Sequence, residues 1–230
     1  QQANERKTFG QPISSYGLIK EKVGRMVIDC YTSEAVVTMV GGLIDAGYKE
    51  YAVEAAISKV YSTECLCRTV DEALQIAGGN GYMREYPYER VARDARINRI
   101  FEGTNEILRL FIALTAMNDV ASQLKELAAT MNGVFNEPIK GFGVLSDYAR
   151  KHAQLATRLG GSPKLHDMHP ALQTQVDSFE DDIRFLAKAA DRILRKHGKN
   201  IIGKQFATKR LAEIMIDLFV LACTLSRVQA

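Results

Sequence analysis

Residues able to do chemistry fall in a few places along the chain. Glu102 sits in the run Ile100-Phe101-Glu102-Gly103-Thr104-Asn105, a carboxylate set between apolar residues and a glycine. Such a carboxylate can act as a general base once water is excluded from it, because desolvation raises its proton affinity towards neutral pH. Taken alone, a turn glutamate is more often a solvated charge. Gly103 is either a plain turn glycine or a place where a ligand comes close to the backbone. A glycine cluster, Gly78-Gly79-Asn80-Gly81, and the run Arg6-Lys7-Thr8-Phe9-Gly10 are the other two concentrations. His166 and His169 share a proline-flanked loop with no cysteine or carboxylate pattern to complete a metal site, and they read as surface histidines. Cys30, Cys65, Cys67 and Cys223 lie in apolar helical patterns without paired metal spacing, as reduced, buried cysteines of a reducing compartment do. No metal is expected.

Helices must position these residues. Residues 14–46 carry Ile19, Val23, Met26, Cys30, Met39 and Leu43 at mixed three- and four-residue steps, which predicts a long amphipathic helix closed by Ala46-Gly47. A second pattern runs from about Glu50 to Ala77 through Val53, Ile57, Val60, Cys65 and Leu74, and the glycine cluster breaks it. Arg90 to Ile97 reads as a short helix and Glu106 to about Leu127 as a long one, so Phe101 to Asn105 is an interhelical turn, with Thr104 or Asn105 as N-cap. Glu89, Arg90, Arg93, Asp94 and Arg96 read as a charged helix face with internal ion pairs.

From about residue 129 to 170 the chain is rich in glycine and proline around one modest helix near 144–159, and reads as a connector. Beyond it, Leu172, Val176, Phe179, Ile183, Leu186, Ala190 and Ile193 keep a near-heptad rhythm, repeated by Leu211, Ile214, Leu218, Leu221 and Leu225. Asp177, Glu180, Asp181 and Asp182 precede Arg192, Arg195, Lys196 and Lys199, an order that suits a helix dipole. No convincing strand alternation is present. The expected fold is all-α: a helical bundle over 1–128, the connector over 129–170, and a smaller helical unit over 171–230.

The 230 residues are 47% hydrophobic, ample for a core, and the formal net charge of +3 does not call for nucleic acid or a membrane as partner. No stretch approaches the roughly twenty uninterrupted apolar residues of a spanning helix. Residues 137–164 interleave Lys140, Arg150, Lys151, Arg158 and Lys164 with Ile139, Phe142, Leu145 and Leu155. That pattern fits peripheral membrane contact, although a helix packed on its own bundle is the better reading.

Residues 75–94 read Gln-Ile-Ala-Gly-Gly-Asn-Gly-Tyr-Met-Arg-Glu-Tyr-Pro-Tyr-Glu-Arg-Val-Ala-Arg-Asp. With Arg6-Lys7-Thr8-Phe9-Gly10 before it and Arg99-Ile100-Phe101-Glu102-Gly103-Thr104-Asn105-Glu106-Ile107-Leu108-Arg109-Leu110 after it, this resembles the C-terminal four-helix domain of the acyl-CoA dehydrogenase family. The remaining hundred or so residues resemble the extra helical domain of the very-long-chain type and of the related family member nine. Gly17 also looks like the very-long-chain type, since shorter-chain relatives commonly carry glutamine there.

The resemblance implies a parent enzyme that oxidises long-chain acyl-CoA to trans-2-enoyl-CoA with FAD, and hands electrons to an electron-transfer flavoprotein. It places Glu102 as the base for the α-proton, and the Glu102 N–H and Gly103 against the substrate thioester. It carries Arg6 and Thr8 to the FAD pyrophosphate and Phe9 to the adenine side, on the flavin of a neighbouring subunit in a homodimer or dimer of dimers. Gln75, Gly78 and Gly79 become a further dinucleotide contact, and Thr104 and Glu106 flavin contacts, Thr104 the better suited because an acidic group beside phosphate is unhelpful. The chain alone, without the family's other domains, is expected to be inactive. Location follows source: cytoplasmic in a bacterium, mitochondrial matrix or inner-membrane face in a eukaryote. The rival reading is a scaffold for respiratory complex I assembly, as family member nine serves. A DNA-associated role, known in another branch, is disfavoured by the near-neutral charge.

Overall fold

The computed structural model describes residues 1–118 and 168–230. The helix expected near 144–159 and the membrane-contact segment 137–164 lie outside them, as does His166. The chain divides into two compact units, Gln1–Leu108 and Arg109–Ala230.

The first unit opens with a one-turn helix α1 (Gln2–Glu5) and a short antiparallel hairpin, β1 (Lys7–Thr8) paired with β2 (Gln11–Pro12). Sequence patterning gave no sign of this hairpin, because two-residue strands have no room for alternation. A 3₁₀ turn at Ile13–Ser15 leads into the long helix α2 (Gly17–Asp45). The α2 C-terminus closes as the Ala46-Gly47 pair predicts. Gly47 takes φ 85°, its N–H donates to Ile44 O and the Tyr48 N–H to Leu43 O, at 2.9 and 3.1 Å, which is a Schellman motif.

Helix α3 (Ala52–Ala77) packs along α2. Three polar pairs cross their seam: Lys22 with Glu72, Asp29 with Arg68, and Thr32 with Tyr61. Numbers that rise along α2 fall along α3, so the two helices are antiparallel. Beyond the last polar pair Val36 and Val60 are fully buried, and Ala35, Ile57 and Cys65 are buried as well.

The burial of α2 differs from the expectation. Its buried residues are Ala35, Val36 and Val40, whereas Val23 and Cys30 are exposed. Cys30 is therefore not one of the buried cysteines, although Cys65 and Cys223 are. By length and composition α2 is also apolar enough to cross a membrane, although charged residues interrupt its apolar run. Within the unit it is a packed helix carrying an ion-paired aspartate.

Helix α4 (Gly79–Tyr82) turns the chain back under the end of α3, and α5 (Tyr88–Ile97) packs on α3. The expected charged face is present there, with Arg93 Nη2 2.8 Å from Glu89 Oε2. Residues 105–118 are helical and form α6, whose Thr104 N-cap accepts from the Ile107 N–H at 3.3 Å.

In the second unit, α7 (Gln173–His197) and α8 (Gln205–Gln229) are joined by a 3₁₀ segment at Gly198–Gly203. The His169 N–H donates to Gln229 Oε1 at 2.8 Å, tying the entrance of α7 to the exit of α8 in an antiparallel pair. The two heptad-like series face each other: Val176, Phe179, Leu218 and Leu225 are buried, with Leu172, Ile183, Leu186, Ile214 and Leu221 packed around them. One electrostatic expectation needs correcting. The first turn of α7 holds no acidic residue, so the Asp177–Asp182 group lies beyond the reach of the N-terminal dipole; the basic last turn, Arg195, Lys196 and His197, does complement the C-terminus.

Candidate functional site

Glu102 occupies the turn between α5 and α6 in a left-handed conformation, φ 53°, followed by Gly103 at φ 88°. A non-glycine residue there pays a steric cost between its Cβ and the following carbonyl oxygen, so the surroundings must hold it. They do so from α3. Lys59 Nζ donates to Gly103 O and to Asn105 Oδ1, both at 2.8 Å. Asn105 is fully buried; its Nδ2 donates to Thr63 Oγ1 at 3.0 Å and to Glu64 Oε1 at 3.2 Å, while its N–H donates to Arg99 O at 3.2 Å. Burial pushes the Lys59 pKa below the usual lysine value, and the carboxylates of Glu106, Glu102 and Glu64 oppose that shift.

Glu102 and Gly103 are exposed, Thr104 is half-buried and Glu106 exposed, so these four predicted residues lie together on the turn and the first turn of α6. Gly103 has a packing reason as well as a conformational one: a Cβ there would stand 3.3 Å from Leu108 Cδ2.

Arg6, Thr8 and Phe9 are gathered on the hairpin. Its two-residue loop is Phe9-Gly10, with φ 52° and 82°, the signature of a type I′ turn. The Tyr16 hydroxyl donates to Thr8 O at 2.9 Å and the Ile13 N–H to Arg6 O at 2.9 Å, anchoring both strands. Arg6 is exposed and Phe9 is 97% exposed, an aromatic ring held out on a strained tip.

The glycine cluster separates into different requirements. Gly78 adopts φ 62°, ψ −137°, open only to glycine. Gly81 is fixed by packing, since a Cβ would come within 2.3 Å of Leu74 O. Gly79 has neither constraint: its φ is ordinary and a Cβ would meet nothing within 4 Å. Gln75, Gly78 and Gly79 are all exposed.

The predicted residues do not converge on one point. Lys59, which holds the Glu102 turn, and Gln75 are sixteen residues apart on α3, about 24 Å along a helix axis. The chain therefore presents two stations, the Glu102 turn and the Gln75–Gly79 end. Lys59, Thr63 and Glu64 were not among the residues singled out by sequence. No sequence signal marks them: the neighbours of Lys59 that the structure buries, Ala56, Ile57 and Val60, do not show which polar groups its ammonium meets.

Residues 1–117 match the family model described as the acyl-CoA dehydrogenase C-terminal domain, and residues 170–230 match the ACAD9/ACADV C-terminal domain. The chain is 39% identical over 226 residues to the mitochondrial very long-chain specific acyl-CoA dehydrogenase of Rattus norvegicus, covering 98% of this chain and 34% of the relative. It is 38% identical to the Homo sapiens protein of that name over the same shares. Among solved structures, the acyl-CoA dehydrogenase of Bacillus anthracis complexed with FAD aligns with a TM-score of 0.77 and 29% identity, over 100% of this chain and 39% of that one. The chain thus spans about a third of the length of the curated relatives it matches. With the first model covering 117 of its 230 residues, the chain belongs to the acyl-CoA dehydrogenase family, whose C-terminal helical domain it carries.

Proposed function

We propose that this chain is the C-terminal part of an FAD-dependent acyl-CoA dehydrogenase acting on long-chain acyl-CoA, with Glu102 as the base that takes the α-proton. The observation that carries the reading is the left-handed Glu102–Gly103 pair, tethered to α3 and open to a ligand, inside the segment that matches the family model. A left-handed non-glycine residue on an exposed turn is kept at a steric cost. Function supplies a reason for it.

The residues present fit an FAD. The exposed Arg6 guanidinium suits a diphosphate through paired charge-assisted hydrogen bonds, and the open backbone at Gly78–Gly79 leaves room where side chains would stand. When bound, the flavin accepts the β-hydride. The chain's own contribution is to place the Glu102 carboxylate, to receive the α-proton on one of its oxygens, and to offer the Glu102 N–H to the thioester oxygen as negative charge develops there. Glu102 is exposed in the chain itself, so exclusion of water from it falls to the substrate, the flavin and the rest of the enzyme. The spacing along α3 sets the Gln75–Gly79 dinucleotide contact apart from the Glu102 turn, and the hairpin with Arg6, Thr8 and Phe9 is assigned to the flavin of a neighbouring subunit. An electron-transfer flavoprotein is the proposed oxidant of the reduced flavin.

In the full-length enzyme, Glu102→Gln should lower kcat by about 10²- to 10⁴-fold, the range of a single general base, with FAD content unchanged. Retained turnover would move the base elsewhere.

A further inference from the structure

We propose that Lys59 is a positioning residue for Glu102: its ammonium ties the Gly103 carbonyl and the Asn105 side chain to α3, and so fixes the turn from which the Glu102 carboxylate and N–H act. The inference rests on the reading of Glu102 as the base.

Lys59 spends its hydrogen bonds in an unusual way. Glu64, Glu102 and Glu106 all act electrostatically on it, yet among the described residues it makes no ion pair within 4 Å, and both 2.8 Å bonds go to neutral oxygens. A lysine recruited only to neutralise carboxylates would contact one. This ammonium instead bridges the residue just after Glu102 and the first residue of α6. One side of the bridge is rigid, because Lys59 springs from the N-terminal third of α3, where Ala56, Ile57 and Val60 are buried. The other side is the left-handed pair, which keeps its conformation only while its surroundings determine it.

Asn105 makes the bridge specific. Its Oδ1 accepts from Lys59 while its Nδ2 donates to Thr63 and Glu64, so the amide is oriented by partners one helical turn apart on α3. The three α3 residues and Asn105 form a cradle beneath the turn, and within it only Lys59 reaches the Gly103 carbonyl. A misplacement of about 1 Å at a reacting group costs on the order of 10²-fold in rate. A carboxylate on an unanchored turn of this kind would suffer such a loss without being changed itself.

The test compares Lys59→Met, Lys59→Gln, Lys59→Arg and Glu102→Gln in the flavin-loaded full-length enzyme. Lys59→Met should lower kcat by about 10- to 100-fold with KM for acyl-CoA nearly unchanged and FAD content retained. The isotope effect on kcat with α-deuterated substrate should rise, because proton abstraction becomes more rate-limiting. Lys59→Arg should recover part of the rate, since a guanidinium can donate to both oxygens. If Lys59→Met does not fold, Lys59→Gln, which keeps a donor without the charge, is read against the same expectations. Unchanged kcat and isotope effect in a Lys59 variant, with Glu102→Gln inactive, would overturn the inference and leave the base assignment standing. A rate loss that tracks lost FAD or lost folded protein, with no change in isotope effect, would also overturn it. An active Glu102→Gln enzyme would instead remove the reading on which it rests.

Discussion

The Arg68 guanidinium grips the Asp29 carboxylate with two hydrogen bonds, Nε to Oδ2 at 3.1 Å and Nη2 to Oδ1 at 3.0 Å, and this fork fastens α3 to the apolar helix α2. The bond to Asp29 is the foremost reason the Arg68 pKa is held above its usual value. Asp29 is the more buried partner, its side chain 17% exposed against 54% for Arg68. Removing the carboxylate leaves a guanidinium that can turn to water, so the loss stays below that of a fully buried pair. Asp29→Ala is expected to destabilise the first unit by about 1–2 kcal/mol, read from urea unfolding. A change under about 0.3 kcal/mol would show the fork to be a surface pair without net value.

Tyr61 gives the same seam a pH dependence. Burial lifts its phenol from 10.0 to about 12, against the opposing hydrogen bond with Thr32. A raised native pKa means that between those values the folded chain keeps a proton that the unfolded chain releases. This contribution is complete below the unfolded pKa and is lost as pH rises through the native one. Discounted for the partial exposure of the ring, it is about 1–2 kcal/mol, from about 1.36 kcal/mol per pKa unit. Urea unfolding at pH 9 and pH 11.5 should show the fall in the wild type and a shallower fall in Tyr61→Phe. Cys223, lifted by burial to about 11, adds a slope of the same sign in the second unit.

The glycine cluster should separate stability from ligand binding. Gly81→Ala drives a Cβ to 2.3 Å from Leu74 O, a backbone atom that cannot swing aside, and should cost about 3 kcal/mol or prevent folding. Gly79→Ala meets open space and should leave unfolding within about 0.5 kcal/mol. In the full-length enzyme, however, the Gly79→Ala methyl would stand where the proposed dinucleotide approaches, so FAD retention should fall while stability does not. Equal behaviour of the two variants in both measurements would remove the distinction.

These contrasts explain what the sequence could carry. The α7–α8 pair was legible almost residue by residue, because each helix has one apolar stripe and a short connector leaves it one partner to meet. Helix α2 was legible as a helix but not in its buried face: it is apolar on several sides, and tertiary packing buries only Ala35, Val36 and Val40. The hairpin at Phe9-Gly10 lacks the Asn-Gly or Asp-Gly pair that announces a type I′ turn. For the candidate site, the position of Glu102 was legible through its motif. The tether from Lys59 was not, since it joins residues forty-four positions apart through a side chain whose sequence neighbours give no hint of it.

The strain at Glu102 yields the sharpest separation of stability from activity. A left-handed non-glycine residue costs about 1–2 kcal/mol, and glycine in its place relieves that cost while adding about 0.5–1 kcal/mol of backbone entropy to the unfolded state. Glu102→Gly should therefore stabilise the first unit by about 0.5–1 kcal/mol while abolishing turnover in the full-length enzyme. Glu102→Ala, which keeps a Cβ at φ 53°, should lose turnover equally and gain no stability. Phe9→Gly serves as the control: it relieves the same kind of strain at φ 52°, far along the chain from the proposed base, and should give a similar gain in urea unfolding. If Glu102→Gly destabilised while Phe9→Gly stabilised, the glutamate side chain would be holding its own turn, and the case for a residue kept there at a cost for chemistry would fail.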